Sequence, residues 1–196
     1  MQNLVFIIVS MPMISALLTQ LLGAQLGRRV SGISIAAMVG TLLLATVHLW
    51  NVVSGPDGGV AGTTSYADTF LNDPLGAIML WVIAGIAVIV HFYSRNYMTE
   101  EPGYVRFFAL LNLMTAALLA MVAANNLILL LVAWHLVGVL LYLLLGQDLN
   151  SKTAHRYAFW TMFTYRLGDL PMVLAGALLI HAFGTWSLTE ILDAIH

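Results

Sequence analysis

Residues 127–147 read LILLLVAWHLVGVLLYLLLGQ. The run holds no Asp, Glu, Lys or Arg. A helix needs about 20 apolar residues, at ~1.5 Å each, to cross the hydrocarbon of a bilayer, and this run meets that length. It lacks the roughly ten-residue, alternating pattern of a membrane β-strand. The whole chain of 196 residues is 61% hydrophobic and only 8% charged, with a mean hydropathy of +0.93. A soluble domain carries about 25% charged residues. The sequence therefore describes an all-α integral membrane protein rather than a soluble domain with a large core.

Working outward, five further apolar runs occupy residues 3–24, 32–54, 74–95, 105–124 and 160–183, giving about six transmembrane helices. Arg28 and Arg29 follow the first run. Gly55, Pro56, Gly58 and Gly59 stop the second. Asn72-Asp73-Pro74 opens the third, with proline at a tolerated early helical position. Pro102 and Gly103 part the third from the fourth, Asn125-Asn126 makes a tight link to the fifth, and Gln147 to Thr153 is a polar loop. No Lys or Arg precedes Arg28 and no clear small-residue cleavage site follows the first run, so it reads as a retained helix, not a signal peptide. Three units follow: residues 1–73 with helices one and two and their outer loop, 74–185 as a four-helix core, and 186–196 as a tail. In the loop at 55–73, Asp57 and Asp68 sit among Gly and Thr; a short hairpin and a solvated loop both fit. In the tail, Leu188, Ile191, Leu192 and Ile195 predict an amphipathic helix along the membrane interface.

The basic residues sort by side. Arg28 and Arg29, Arg95 and Arg106, and Lys152 and Arg156 occupy alternate loops, which accounts for six of the seven cations. Positive-inside logic places these loops in the cytoplasm and both termini outside, in a bacterial-type inner membrane or an equivalent energy-transducing membrane.

The seventh cation, Arg166, lies inside the last apolar run, three positions before Asp169. Charge in hydrocarbon is costly, so it persists where it pairs, faces a polar interior or moves an ion. Counted from residue 160, the two lie ~9 and ~13 Å along the helix. A spacing of three places them on one face. Two readings stand. The pair is a neutralised structural contact, or Arg166, which cannot lose its proton, tunes a titrating Asp169. Pro171 removes the hydrogen bond to the Leu167 carbonyl and predicts a kink, either for packing or for a hydrated site. His135, in the middle of the fifth run, is either a satisfied core histidine or a mid-membrane proton carrier. Trp134 supports it by packing, and Gly138 allows close approach of another helix. His155 and His91, on the basic side, are candidates for proton uptake. His48 and His181 fit interface anchoring. With no cysteine, no HExxH, no Gly-rich phosphate loop and no Ser-His-Asp set, neither cofactor nor metal is predicted. The few scattered cations exclude nucleic acid.

Four stretches resemble a known family. Ile89–Met98 (IVHFYSRNYM), Gly103–Leu113 (GYVRFFALLNL), the Asn125–Gly146 run and Tyr165–Asp169 (YRLGD) are similar to the antiporter-like subunit of NADH:quinone oxidoreductase, called subunit L or 5. The large subunits of Mrp cation/proton antiporters and the membrane subunit of DAB-type inorganic-carbon complexes are related. The resemblance covers residues 70–185. It implies an antiporter-like bundle in which Arg166 and Asp169 sit near the start of a proton path, while Trp134, Gly138 and Tyr142 belong to the helix-five signature. His135 stands where complex I and Mrp members carry a glutamate. A histidine cannot form the same anion–cation switch with a lysine, but it can carry a proton. Family members are also much longer, so the bundle is incomplete relative to the family and the chain alone should not form a complete transmembrane route.

The expected function is a proton-translocating, or Na+/H+-translocating, subunit of a multisubunit complex resembling complex I or Mrp. If it is an enzyme, it is a translocase with no redox site in this chain. Two alternatives are a membrane subunit of an energy-coupled inorganic-carbon uptake complex and a non-conducting scaffold. The partners implied are lipid, other membrane subunits, a chain supplying the missing helices, and a soluble catalytic subunit.

Overall fold

The computed structural model describes residues 4–55, 62–63, 69–100, 103–148 and 151–195. Six long helices follow one another: α1 (Leu4–Leu26), α2 (Val30–Ser54), α3 (Pro74–Tyr97), α4 (Tyr104–Ala123), α5 (Leu127–Leu145) and α6 (Lys152–Phe183); a short α7 (Leu188–Asp193) comes last. The boundaries expected for the first five fall within two residues of those observed. A 3-10 turn, Gly27–Arg29, joins α1 directly to α2, and Gly27 there has φ +52°, which glycine adopts without strain. The turn folds an apolar stretch of 51 residues, Leu4–Ser54, back on itself so that α2 packs against α1. At α3, Asp73 caps the helix by accepting from the Gly76 N–H at 3.1 Å, with Pro74 at the first helical position.

Helices α1 to α4 form the densest part: α1 packs on α4 and α2, and α3 on α2 and α4. Ile8, Leu80 and Leu119 lie at its centre, and Phe108 joins Val30, Met98 and Tyr104 in a second cluster. Helix α5 adds to α4, and α6 packs chiefly on α5. This last pair is thinly covered: 17% and 11% of its most apolar windows are buried, against 33% in each earlier span. Leu21, Trp50 and Ile89 are 73%, 71% and 69% exposed, as expected of side chains that meet lipid rather than water.

Helix α6 departs from expectation. It starts at Lys152, not near residue 160, because the Ser151 hydroxyl accepts the Ala154 N–H at 3.2 Å and caps it. Charged residues limit how much of a helix sits in hydrocarbon, not where the helix begins. Its 32 residues span ~48 Å, longer than the ~30 Å hydrocarbon core. Arg166 and Asp169 therefore lie ~21 and ~26 Å from its start rather than ~9 and ~13. The helix runs through Pro171 without interruption.

Between α2 and α3, β1 (Gly62–Thr63) pairs antiparallel with β2 (Leu71–Asn72), the hairpin alternative for this loop. Pro56, Asp57, Gly58, Gly59, Asp68 and Pro102 lie outside the described residues. The tail carries a short helix within the stretch expected to lie along the interface. Helix α7 has six residues, with Ile191 buried while Leu192 and Ile195 are 56% and 62% exposed. It is held by the α4–α5 link: Leu127 N–H donates to the Trp186 carbonyl at 2.8 Å, Leu188 N–H to the Asn125 carbonyl at 2.7 Å, and Thr189 N–H to Asn125 Oδ1 at 3.2 Å. A buried asparagine, Asn125, thus fixes the tail by main-chain pairing.

Among the described residues nothing lies within 4 Å of a Cβ added at Gly138, so the close approach expected there is not made by α1–α7. The close approach of α5 and α6 is at Gly176, where an added Cβ would lie 2.9 Å from Leu131 Cδ1. Gly176→Ala should cost little, because a leucine methyl can yield. Gly176→Leu should lower stability by about 1–3 kcal/mol by overpacking, read as a lower thermal midpoint of the purified protein.

Candidate functional site

Asp169 is the hub of the α5–α6 interface, and it is buried. Two consecutive residues of α5 reach it. The indole Nε1–H of Trp134 donates to Asp169 Oδ1 at 2.8 Å. His135 Nε2 lies 3.8 Å from Oδ2. One turn back along α6, Arg166 Nη1 donates to the same Oδ2 at 3.2 Å. The sequence expectation that Arg166 and Asp169 share a helix face is met, and α5 adds His135 to the pair. Trp134 was expected to act by packing. Its direct hydrogen bond was missed: an indole N–H inside a membrane needs a partner, but which helix supplies it depends on the packing of α5 against α6.

The geometry fixes the histidine tautomer. His135 Nδ1 lies 2.7 Å from the carbonyl of Leu131, one turn earlier. A carbonyl oxygen only accepts, so Nδ1 carries a hydrogen and Nε2 is the nitrogen turned towards the carboxylate. Nε2 and Oδ2 can each carry a proton, and they face each other across the interface. One proton placed on either side turns that contact into an attractive one. At 3.8 Å they are beyond direct hydrogen bonding, and closing by about 1 Å, or one bridging water, would connect them. Arg166 places a fixed positive charge beside Oδ2, and Trp134 holds Oδ1.

All three partners of the buried carboxylate are partly open. The side chains of His135 and Arg166 are 30% and 35% exposed. At this depth on the thinly covered α5–α6 pair, such groups are costly against lipid.

The other predicted residues are elsewhere. His155 sits in the first turns of α6, ~17 Å before Arg166 and, at eleven residues, on about the same face of the helix. His91 is fully buried between α3 and α4 and belongs to a separate polar cluster. Its Nδ1 is 2.7 Å from the Ala87 carbonyl and its Nε2 is 2.9 Å from Asn112 Oδ1. The Asn112 amide in turn donates to Ser34 at 2.9 Å, Ser15 at 3.2 Å and Thr19 at 3.3 Å, tying together four helices. His48 was expected as an interface anchor and is instead buried in α2, because the α2 face it occupies packs inward. Among the described residues no group of three His, Asp or Glu side chains could hold a metal ion.

Two family descriptions match the sequence: NADH-ubiquinone oxidoreductase (complex I), chain 5 N-terminus, over residues 61–108, and NADH:quinone oxidoreductase/Mrp antiporter, TM, over residues 124–196. Together they cover more than half of the chain and include His91, His135, Arg166 and Asp169. The chain belongs to this antiporter-like family of membrane subunits. It is 50% identical over 187 residues to the "Probable inorganic carbon transporter subunit DabB1" of Halothiobacillus neapolitanus, covering 94% of this chain and 33% of that protein. It is 30% identical over 193 residues to NADH-quinone oxidoreductase subunit L of Neisseria meningitidis, covering 93% of this chain and 29% of that one. A chain of the membrane-bound sulfane sulfur reductase, an archaeal respiratory membrane complex, shares the fold with a TM-score of 0.84 at 17% identity, over 97% of this chain and 39% of that one. The chain spans a third or less of the length of these curated relatives.

Trp134→Phe isolates the indole bond, since it keeps the aromatic ring and removes the donor. Losing one hydrogen bond to a carboxylate should lower stability by about 1.5–3 kcal/mol, measured as the thermal midpoint of the purified protein.

Proposed function

We propose that this antiporter-like membrane subunit translocates protons within a multisubunit complex, with Asp169 and His135 as the pair that holds the proton and Arg166 as the charge that sets it. The observation that carries the reading is the 3.8 Å approach of two groups that can each carry a proton, His135 Nε2 and Asp169 Oδ2, across the α5–α6 interface. A scaffold would be served better by apolar residues of similar volume, because burying an ion pair costs desolvation that packing does not. The partly open His135 and Arg166 favour a further protein surface against α5 and α6, from other helices or another subunit. His155, in the first turns of α6, is the group we assign to proton uptake. The basic turns and loops then face the cytoplasm of an energy-transducing membrane.

The driver is the finer question. Identity of 50% to a relative named as an inorganic carbon transporter subunit, against 30% to subunit L over a similar length, favours energy-coupled inorganic-carbon uptake over quinone chemistry. The test is affinity purification of the complex from native membranes followed by mass spectrometry and radiolabelled bicarbonate uptake. A soluble zinc protein resembling a carbonic anhydrase, with uptake abolished by a protonophore, supports the carbon reading. Co-purification of quinone-reducing subunits, with no bicarbonate uptake, overturns it in favour of a complex I-like role.

A further inference from the structure

Three arginines come together away from the Asp169 site. Arg28 and Arg29 of the α1–α2 turn and Arg95 of the last turn of α3 line one cavity of about 390 Å³, walled also by Asn96, Thr99 and Tyr104. None of the three guanidinium groups forms an ion pair among the described residues. Three like charges around one concavity repel each other until an anion enters, and a guanidinium fork matches the paired oxygens of a phosphate. The wall is braced: the Thr99 hydroxyl donates to the Arg95 and Asn96 carbonyls at 2.9 Å each, and the Tyr104 hydroxyl to the Arg95 carbonyl at 3.5 Å.

The surroundings distinguish a lipid from a free anion. Tyr93 and Tyr97 of the same α3 end stack at 5.6 Å and are 66% and 68% exposed, the placement of an interfacial aromatic belt. The cavity thus lies at headgroup level. One and two turns further into the span, Phe92 and Ile89 of α3 are exposed, and Leu43 of α2 is exposed deeper along the neighbouring helix. Gly32, in the first turn of α2, has nothing within 4 Å of an added Cβ, so the mouth is open on that side. A basic cavity that opens onto an apolar, membrane-facing track fits a phosphate attached to acyl chains.

We propose that this cavity binds the phosphodiester headgroup of an anionic phospholipid, with the acyl chains lying along α2 and α3. The site does not depend on Asp169, so it stands or falls separately from the transport reading.

The test uses the full chain in its complex, reconstituted in phosphatidylcholine nanodiscs doped with phosphatidylglycerol or with cardiolipin. Lipid retained by the protein is counted by native mass spectrometry, and thermal midpoints are recorded in parallel. Wild type should retain the anionic lipid and melt higher with it than in phosphatidylcholine alone. Each of Arg28→Gln, Arg29→Gln and Arg95→Gln should weaken retention about fivefold. Lys152→Gln with Arg156→Gln, which removes twice as much positive charge elsewhere on the same side, should leave retention unchanged. Because Arg28 and Arg29 sit in a tight turn, Arg95→Gln at the exposed end of α3 decides the matter if the turn variants fail to fold. Equal retention by wild type and Arg95→Gln overturns the proposal. So does displacement of the lipid by inorganic phosphate with equal stabilisation, which would make the cavity a free-phosphate site.

Discussion

Asp169→Asn should leave the complex assembled and cut proton flux on the order of 100-fold, the usual scale for losing a positioned proton-transfer group. The side chains are nearly the same size. The asparagine oxygen can still accept the Trp134 Nε1–H that Asp169 Oδ1 accepts at 2.8 Å. What is lost is the second oxygen, the one that Arg166 holds at 3.2 Å and His135 faces at 3.8 Å. In its place stands an amide nitrogen, which cannot take up a proton, so none can pass between it and His135 Nε2. The substitution also leaves Arg166 without its counter-charge, and that could impair assembly for reasons unrelated to transport. The double variant Asp169→Asn with Arg166→Gln removes the orphaned charge and should conduct no better than Asp169→Asn alone. His135→Ala should lower flux as well, because it removes the acceptor opposite Oδ2. The measurement is pH-dye quenching in vesicles containing the intact complex, with subunit content checked by gel. If flux survives Asp169→Asn and His135→Ala with assembly intact, the scaffold reading replaces the conducting one.

Much of this site could be read in the sequence, for a definable reason. A charge inside an apolar run is conspicuous, and a spacing of three on a helix predicts a shared face without knowledge of the fold. That α5 brings Trp134 and His135 onto the same carboxylate could not be read, because it depends on which helix packs beside which. Helix boundaries followed the hydropathy except where the two diverge. Lys152 to Tyr157 are polar enough to leave the hydrocarbon and still helical, and the signal that starts α6 is the single hydroxyl of Ser151. The tail divides in the same way. Its apolar spacing predicts a helix, while the hydrogen bonds to Asn125 that hold its start carry no pattern in the sequence. Asn112, the centre of the second polar cluster, carries no mark in the sequence, since one asparagine in an apolar run resembles any other.

That cluster yields the other large effect. Asn112→Leu should lower the stability of the assembled protein by about 2–4 kcal/mol, from several membrane-embedded hydrogen bonds worth about 0.6 kcal/mol each and a polar group left unsatisfied at about 1–3. Leucine is close in volume, so the cost is not a cavity. It falls on His91 Nε2, which loses the Asn112 Oδ1 contact at 2.9 Å, and on Ser15, while Thr19 and Ser34 keep their own 3.1 Å hydrogen bond. All five side chains are buried, so water cannot replace what is removed. The amide also has a second role open to it. As oriented, both ring nitrogens of His91 face carbonyl oxygens, so a neutral ring has a donor for only one of them. Rotating the amide by half a turn would give a neutral ring a donor at Nε2, and hydroxyls, which donate or accept, satisfy either orientation. Asn112→Asp separates structure from proton handling. It keeps an acceptor for His91 but fixes it as one, so the rotation is lost while His91 stays paired. A purely structural cluster gives a lower thermal midpoint for Asn112→Leu, a milder one for Asn112→Asp, and unchanged flux per assembled complex in both. Flux that falls in Asn112→Asp with assembly intact would instead place His91 on the proton route. An unchanged midpoint in Asn112→Leu would show that the four-helix polar contact contributes nothing to stability.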